Sequence, residues 1–276
     1  MERLESAKAE IQKHAVDGQE TSISTSSSIF VAECDISDPD AVARAIEQAN
    51  AFHERPTDHV VHAAVVLKRG YAWEQDSVQL KRDMGVTYLG AVHLFKYALP
   101  AMIEGNVRGR FVIVSSAEAL ATSAGSSSFS GSLFALRGLA DSLRNELLLY
   151  GISVSIYFPG RVQGNPIRTN TPKPALTVDV PPQTYDADAK SLVDGLKAGY
   201  YSITNSWSGH LMRMLGNGIS PRKNNGVEWI CIFFVAGYHA IESFLHLRQA
   251  RAAAANANAK TSPPSPPQGA ASGAAM

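Results

Sequence analysis

Two cysteines in 276 residues cannot build a disulfide framework. Cys34 and Cys231 have no second thiol near them in sequence, so both read as buried, reduced side chains of a cytosol-like compartment. An excess charge of either sign is also missing, since 25 Lys+Arg offset 25 Asp+Glu. No run of Lys or Arg could track a phosphate backbone, which argues against nucleic acid as a partner. The opening Met1-Glu2-Arg3, with Glu5 close behind, contains no apolar run and does not read as a secretory signal. No repeat recurs at a fixed period. What is present is 45% hydrophobic residues, enough for one main core. Wholesale disorder, collagen and a polytopic membrane protein are excluded.

The segment ERLESAKAEIQKHA spaces Leu4, Ala7, Ile11 and Ala15 at three and four residues between charges, the pattern of a one-sided helix. A polar TSISTSSS loop follows. IFVAECDIS is β-rich and predicts a strand. Ser37 or Asp38 then offers an N-cap and Pro39 a helix start for AVARAIEQANAF. The alternation continues through the apolar run HVVHAAVV, the long helical SVQLKRDMGVTYLGAVHLFKYALPAMI, the buried strand RFVIVSS, the amphipathic LFALRGLADSLRNELLLY and the strand ISVSIYF. Helices alternating with short apolar strands predict an α/β fold with a doubly wound parallel sheet covered on both faces.

After Pro159 the chain loosens into the Pro- and Thr-rich NTPKPALTVDVPPQ before a short helix near 188–198, the place where such folds put a substrate lid. The expected organisation is a main domain over 1–200, a lid and apolar C-terminal segment over 201–251, and a tail over 252–276. The tail composition cannot supply a core and reads as disordered.

GVEWICIFFVAGYHAIESFLHL is long enough to cross a bilayer, and basic residues flank it on both sides. It also carries Glu228, His239, Glu242 and His246, which fall within about 60° of one another on a helix. Three readings stay open: a helix at the membrane interface, a membrane helix whose polar stripe packs on a partner, and a core helix of the main domain. Membrane contact through 226–247 is the expectation. His239, Glu242 and His246 have spacing that could hold a metal, but a hydrogen-bonded seam is the commoner use of such a stripe, so no metal is expected.

Ser116 closes the strand RFVIVSS and stands thirteen residues before Phe129 in VIVSSAEALATSAGSSSFSGSLFALRGLADSLRNEL. That block, the helix MGVTYLGAVHLFKYALPAM and the apolar C-terminal segment together resemble the short-chain dehydrogenase/reductases. Within them they are most similar to the 3-ketodihydrosphingosine reductases, over about 2–251. The resemblance implies a Rossmann-like sheet and NADPH as cofactor. It also implies reduction of a long-chain sphingoid ketone, 3-ketosphinganine, to sphinganine at the cytosolic face of the endoplasmic reticulum membrane, and it is compatible with a homo-oligomer.

In that family a Ser polarises the ketone and a Tyr donates the proton, while a Lys four positions further on lowers the tyrosine pKa and holds the ribose. Ser116 matches the serine. Phe129 occupies the tyrosine position, Leu133 the lysine position and Thr87 that of the supporting asparagine. Phenylalanine has no proton to give and leucine no charge. No tyrosine in the chain has a lysine four residues later. The resemblance therefore implies a reductase lineage with an inactive site. The alternative is a catalytically silent relative that binds a lipid or a partner protein.

The cofactor-binding candidates that the resemblance implies are Asp35 with Ile36 for the adenine, Ala64 in His62-Ala63-Ala64-Val65, and the Pro159-Gly160 turn. Val65 puts a branched side chain where the family keeps glycine. Arg161-Val162-Gln163-Gly164 replaces the family's usual continuation after that turn. The glycine-rich turn that seats a pyrophosphate would precede Met1, together with the first strand, first helix and second strand. An incomplete gene model or a fragment is the expectation, with poor NADPH binding and unpaired strand edges. Two residues keep an ordinary structural alternative, Ser116 as a strand-end cap and Asp35 as a turn carboxylate ahead of Pro39.

Overall fold

The computed structural model describes residues 2–17, 29–68, 70–122, 125–160, 162, 183–216 and 248. Helix α1 runs Glu2–Asp17 and α2 Pro39–His53. Strand β1 (His59–His62) leads to α3 (Ser77–Asp83), a π-helical segment Met84–Leu89 and α4 (Gly90–Glu104). Then come β2 (Arg110–Val114), α5 (Ser127–Glu146), β3 (Ser153–Phe158), α6 (Tyr185–Lys197), β4 (Ser202–Thr204) and α7 (Trp207–Gly216). The four strands form one parallel sheet in the order β1-β2-β3-β4. Each crossover carries a helix, as parallel pairing requires.

Local chemistry sets the helix starts. Asp38 accepts the Asp40 N–H at 3.0 Å and Pro39 opens α2 with its preset φ. Asp76 caps α3 through the Val78 N–H, and Thr184 caps α6 through the Ala187 N–H. The long helix is interrupted where Gly90 meets Ile36. A Cβ at Gly90 would lie 2.9 Å from an Ile36 methyl carbon, so only glycine admits this contact. Just before it, the π-helical turn buries Thr87, whose hydroxyl accepts the Val66 N–H at 3.4 Å.

The inward faces of Val60, Phe111, Ile113, Val154, Ile156 and Phe158 meet Phe129, Leu133, Leu136 and Ala140 of α5 in one core. The register pairs Val60 with Phe111 and Ile113 with Ile156, so these side chains share a sheet face. The span Ser77–Glu104 is long and apolar enough to cross a membrane by length and composition alone. Thr87, Ala91, Ala98 and Met102 along it are buried within the fold.

Three expectations need correction or relocation. IFVAECDIS is not a strand: residues 29–35 lie outside regular structure, and Phe30 instead packs on Phe52 of α2 with ring centroids 5.3 Å apart. A parallel strand exists only beside a hydrogen-bonded neighbour, and among the described residues β1 has β2 as its one partner. Cys34 is exposed rather than buried. Beyond residue 200 the sheet continues, since β4 pairs with β3 through Ile156↔Ser202 and Phe158↔Thr204. Cys231, segment 226–247 with His239, Glu242 and His246, the lid residues 163–182 and the tail lie outside the described residues.

Candidate functional site

The loops leaving the carboxyl ends of β1, β2 and β3 converge, which is where open α/β sheets place their sites. The exits of β2 and β3 are tied together: the Ser115 N–H donates to the Tyr157 carbonyl at 2.8 Å and the Ala117 N–H to the Pro159 carbonyl at 2.9 Å. Ser116 thus lies beside the Pro159-Gly160 turn, as the family pattern requires. Its hydroxyl accepts the Glu118 N–H at 3.3 Å and caps a short turn over Ala117–Ala119. The capping role open to Ser116 in the sequence is the one its side chain fills here.

On α5, Phe129 is 4% exposed and Leu133 wholly buried, both within the apolar core. Ser132 donates back to the Phe129 carbonyl at 2.8 Å. The positions that the resemblance gives to the family's acid and its lysine are thus part of the packed core. Around them lies polar chemistry with other tasks. Ser130 Oγ reaches Glu118 Oε2 at 3.5 Å. Asp83, wholly buried, accepts the Gln79 amide at 2.5 Å and the hydroxyl of Ser128, so it ties the π-helical region to the start of α5.

His62 is 3% exposed, and neither ring nitrogen reaches a hydrogen-bond partner. Burial lowers its pKa from 6.5 to about 4, although the Val86 backbone nearby partly favours the protonated ring. His62 is thus a neutral imidazole at ordinary pH. Ala64 is half-buried and Val65 exposed. Gly160 donates its N–H to Asn205 Oδ1 at 2.9 Å, Asn205 Nδ2 donates to Asp188 Oδ1 at 2.6 Å, and the Tyr157 hydroxyl donates to the same oxygen at 2.5 Å. Burial, with the Asp188 hydrogen bond and charge, pushes the Tyr157 pKa up, so this tyrosine keeps its proton. The network fixes the Pro159-Gly160 turn from α6 and β4. No local spacing announces it, because its members are 17 to 45 residues apart. Asp83 was illegible as a site residue, since an Asp in a helix carries no motif, and His62 was legible only as part of the His62-Ala63-Ala64-Val65 stretch, not as a buried ring.

Asp35 and Ile36 lie apart from this cluster, at the head of α4. Asp35 Oδ1 accepts both the N–H and the hydroxyl of Ser37, at 2.9 and 2.7 Å, and those two bonds lower its pKa. Ile36 covers Gly90, and its carbonyl lies 3.0 Å from His93 Nδ1. Asp35 therefore acts as a turn carboxylate in this structure. Leu133 offers a dinucleotide no charge to hold its ribose. The position that the resemblance gives to the ribose-holding lysine is Leu133, inside the core, while Asp35 keeps an exposed carboxylate with Oδ1 on its own turn. Among the described residues no three His, Cys, Asp or Glu side chains gather as metal ligands.

Comparison with known proteins gives this geometry its lineage. Residues 4–174 match the family model for short chain dehydrogenases. A 3-ketodihydrosphingosine reductase of Cryptococcus neoformans is 32% identical over 196 residues, covering 69% of this chain and 58% of the relative. One from Dictyostelium discoideum is 33% identical over 205 residues, covering 72% and 61%, and one from Bos taurus is 27% identical over 230 residues, covering 80% and 65%. The chain thus spans about 58 to 65% of these relatives' length. Among solved structures, a short-chain dehydrogenase of Novosphingobium aromaticivorans aligns at TM-score 0.60 and 19% identity, covering 89% of this chain and 85% of its own. One of Burkholderia cenocepacia, in complex with NADP, aligns at 0.55 and 20%, covering 64% and 69%. These structural likenesses concern the fold. By the family match and the parallel sheet that bears it out, this chain belongs to the short-chain dehydrogenases.

Proposed function

We propose that this chain comes from the 3-ketodihydrosphingosine reductase lineage and binds a long-chain 3-keto sphingoid base without reducing it. The observation that carries the reading is the pair Phe129 and Leu133, buried in the core at the positions of the family's acid and its lysine. Reduction of a ketone needs a hydride on carbon and a proton on oxygen. In the family NADPH supplies the hydride and the tyrosine the proton. Neither side chain here can give a proton at the reacting oxygen, and losing general acid catalysis alone costs about 10² to 10⁴ in rate. Tyr157, the one tyrosine buried beside the strand ends among the described residues, is held on Asp188 and retains its proton.

Ligand binding asks less of the site than catalysis does, because it needs shape and contact but no proton transfer. The relatives' names supply the ligand class. With that lineage goes the proposal that the protein works at the cytosolic face of the endoplasmic reticulum membrane, with 226–247 as the contacting segment. A homo-oligomer is compatible with it.

The test is direct. The full chain is mixed with 3-ketosphinganine in detergent and passed through gel filtration, and a parallel sample receives NADPH. The reading expects lipid to co-elute with protein while NADPH absorbance stays constant. Protein eluting free of lipid, or NADPH consumed in step with sphinganine formed, would overturn it.

A further inference from the structure

Along the exposed face of α5, opposite the buried Phe129 and Leu133, runs an open groove of about 580 Å³. One wall is Tyr71 and Trp73, from the connection after β1, stacked with ring centroids 4.7 Å apart and planes 2° from parallel. The two rings make one flat aromatic slab, and Trp73 is 79% exposed. On the α5 side stand the exposed Phe134 and, three residues before it, Gly131, where a Cβ would meet nothing within 4 Å. The Gly70 N–H donates to the Gly125 carbonyl at 2.9 Å and ties the aromatic wall to the segment that leads into α5.

Among the described residues lining the groove, none is charged. Its exposed polar groups are the hydroxyls of Thr122 and Ser127 and the aromatic Tyr71 O–H and Trp73 N–H. Such a lining suits an uncharged ligand that offers flat apolar rings and unpaired carbonyls. The chain carries one such segment. Residues 261–276 contain no charged side chain, and Ser262-Pro263-Pro264-Ser265-Pro266-Pro267-Gln268 within them repeats a proline pair at a spacing of three.

Proline presets φ and holds the chain toward polyproline II, a helix of three residues per turn without internal hydrogen bonds. Pro263 and Pro266 then share one edge, as do Pro264 and Pro267, each pair about 9 Å apart along the axis. Aromatic-lined grooves bind this helix because it is already extended and loses little entropy on docking. We propose that the groove between the Tyr71–Trp73 slab and α5 is the docking site of this chain's own proline-rich segment 262–268. Its proline rings lie on the aromatic slab, and its carbonyls accept from Thr122, Ser127 and the Trp73 N–H.

The path closes within one chain. α7 ends at Gly216, whose carbonyl accepts from Arg137, one turn beyond Phe134 on α5. Residues 217–261, at about 3.3 Å each when extended, reach back to the groove with length to spare. Tethering of this kind holds the segment at an effective concentration of about millimolar, so even a weak contact stays filled. The inference uses neither the sphingoid ligand nor the missing acid and stands apart from both.

The test is fluorine NMR of the full chain labelled with 5-fluorotryptophan, which has three tryptophans, Trp73, Trp207 and Trp229. Trp73→Phe removes one resonance and so assigns it. Pro263→Ala, Pro264→Ala, Pro266→Ala and Pro267→Ala made together move the Trp73 resonance toward that of the free amino acid and raise its solvent isotope shift, while the other two stay in place. The altered segment supplies no core, so the fold is untouched. A synthetic peptide of residues 262–268 added to that variant restores the wild-type position at about millimolar concentration. A Trp73 resonance that is the same with and without the prolines overturns the proposal, as does excess peptide that leaves the variant's resonance unmoved. A wild-type resonance that drifts to the variant's position on dilution also overturns it, because the occupant would then be the segment of a second copy.

Discussion

Replacing Leu133 with lysine restores the residue type of the family's active site, and the structure predicts that the fold will not accept it. Leu133 is wholly buried among Phe129, Leu136 and Ala140, in the core cluster that also holds Ile113 and Ile156. Loss of the leucine forfeits about 1.5 to 3 kcal/mol of apolar burial. An ammonium there must either be solvated by rearrangement or shed its proton. A fully buried lysine titrates about 3 to 5 units below normal, at about 1.4 kcal/mol per unit. Together these place Leu133→Lys at about 5 to 10 kcal/mol of destabilisation, the size of a whole domain's stability. Phe129→Tyr adds only one hydroxyl to a 4% exposed ring and costs about 1 to 3 kcal/mol. Urea unfolding followed by circular dichroism reads both. Phe129→Tyr folds with a lowered midpoint, and Leu133→Lys is unfolded or nearly so without denaturant. A Leu133→Lys chain within about 1 kcal/mol of wild type would refute the reasoning. It would mean that the lysine finds an open polar pocket and that the ribose side of the family site survives.

Two other expectations follow from single positions. The folded chain holds His62 neutral, with its pKa near 4 against an ordinary 6.5, so the unfolded state takes up a proton first as pH falls. Stability is therefore full above pH 6.5 and declines toward pH 4, by about 3 kcal/mol in all. His62→Leu removes that slope, and urea midpoints across this range would show it; an unchanged slope would mean the ring is solvated. Among the glycines, Gly138 on α5 has open space where a Cβ would stand, so Gly138→Ala raises stability by about 0.5 to 1 kcal/mol. A Cβ at Gly109 would lie 2.0 Å from the Asp58 carbonyl, so Gly109→Ala must push β1 and β2 apart and lowers the melting temperature.

Where a segment's fate depends on its own residues, it was legible in the sequence. Asp38 and Pro39 open α2, and the apolar runs of β2 and β3 and the period of α5 stand where their patterns place them. Residues 29–35 have as strong a strand pattern as β3, yet no neighbour holds them in the sheet, and pattern alone cannot report a missing neighbour. The π-helical turn at Met84–Leu89 runs into the contact of Gly90 with Ile36, more than fifty residues away in the chain, a neighbour no local pattern reports. At the site, residue types carried the expectation of a missing acid, because a phenylalanine or leucine cannot do acid chemistry in any conformation. The roles gained were hidden. Asp188 and Asn205 hold the turn after β3, and Glu118 stands behind Ser130, through contacts that only the fold creates.

The most direct test of the central claim is turnover by the full chain itself. Protein at high concentration is incubated with 3-ketosphinganine and NADPH, and sphinganine is quantified by mass spectrometry against a protein-free control. The absence of a proton donor at Phe129 predicts sphinganine at the level of the control. Sphinganine accumulating in proportion to protein and time would contradict the account and would require an acid other than the one the family uses.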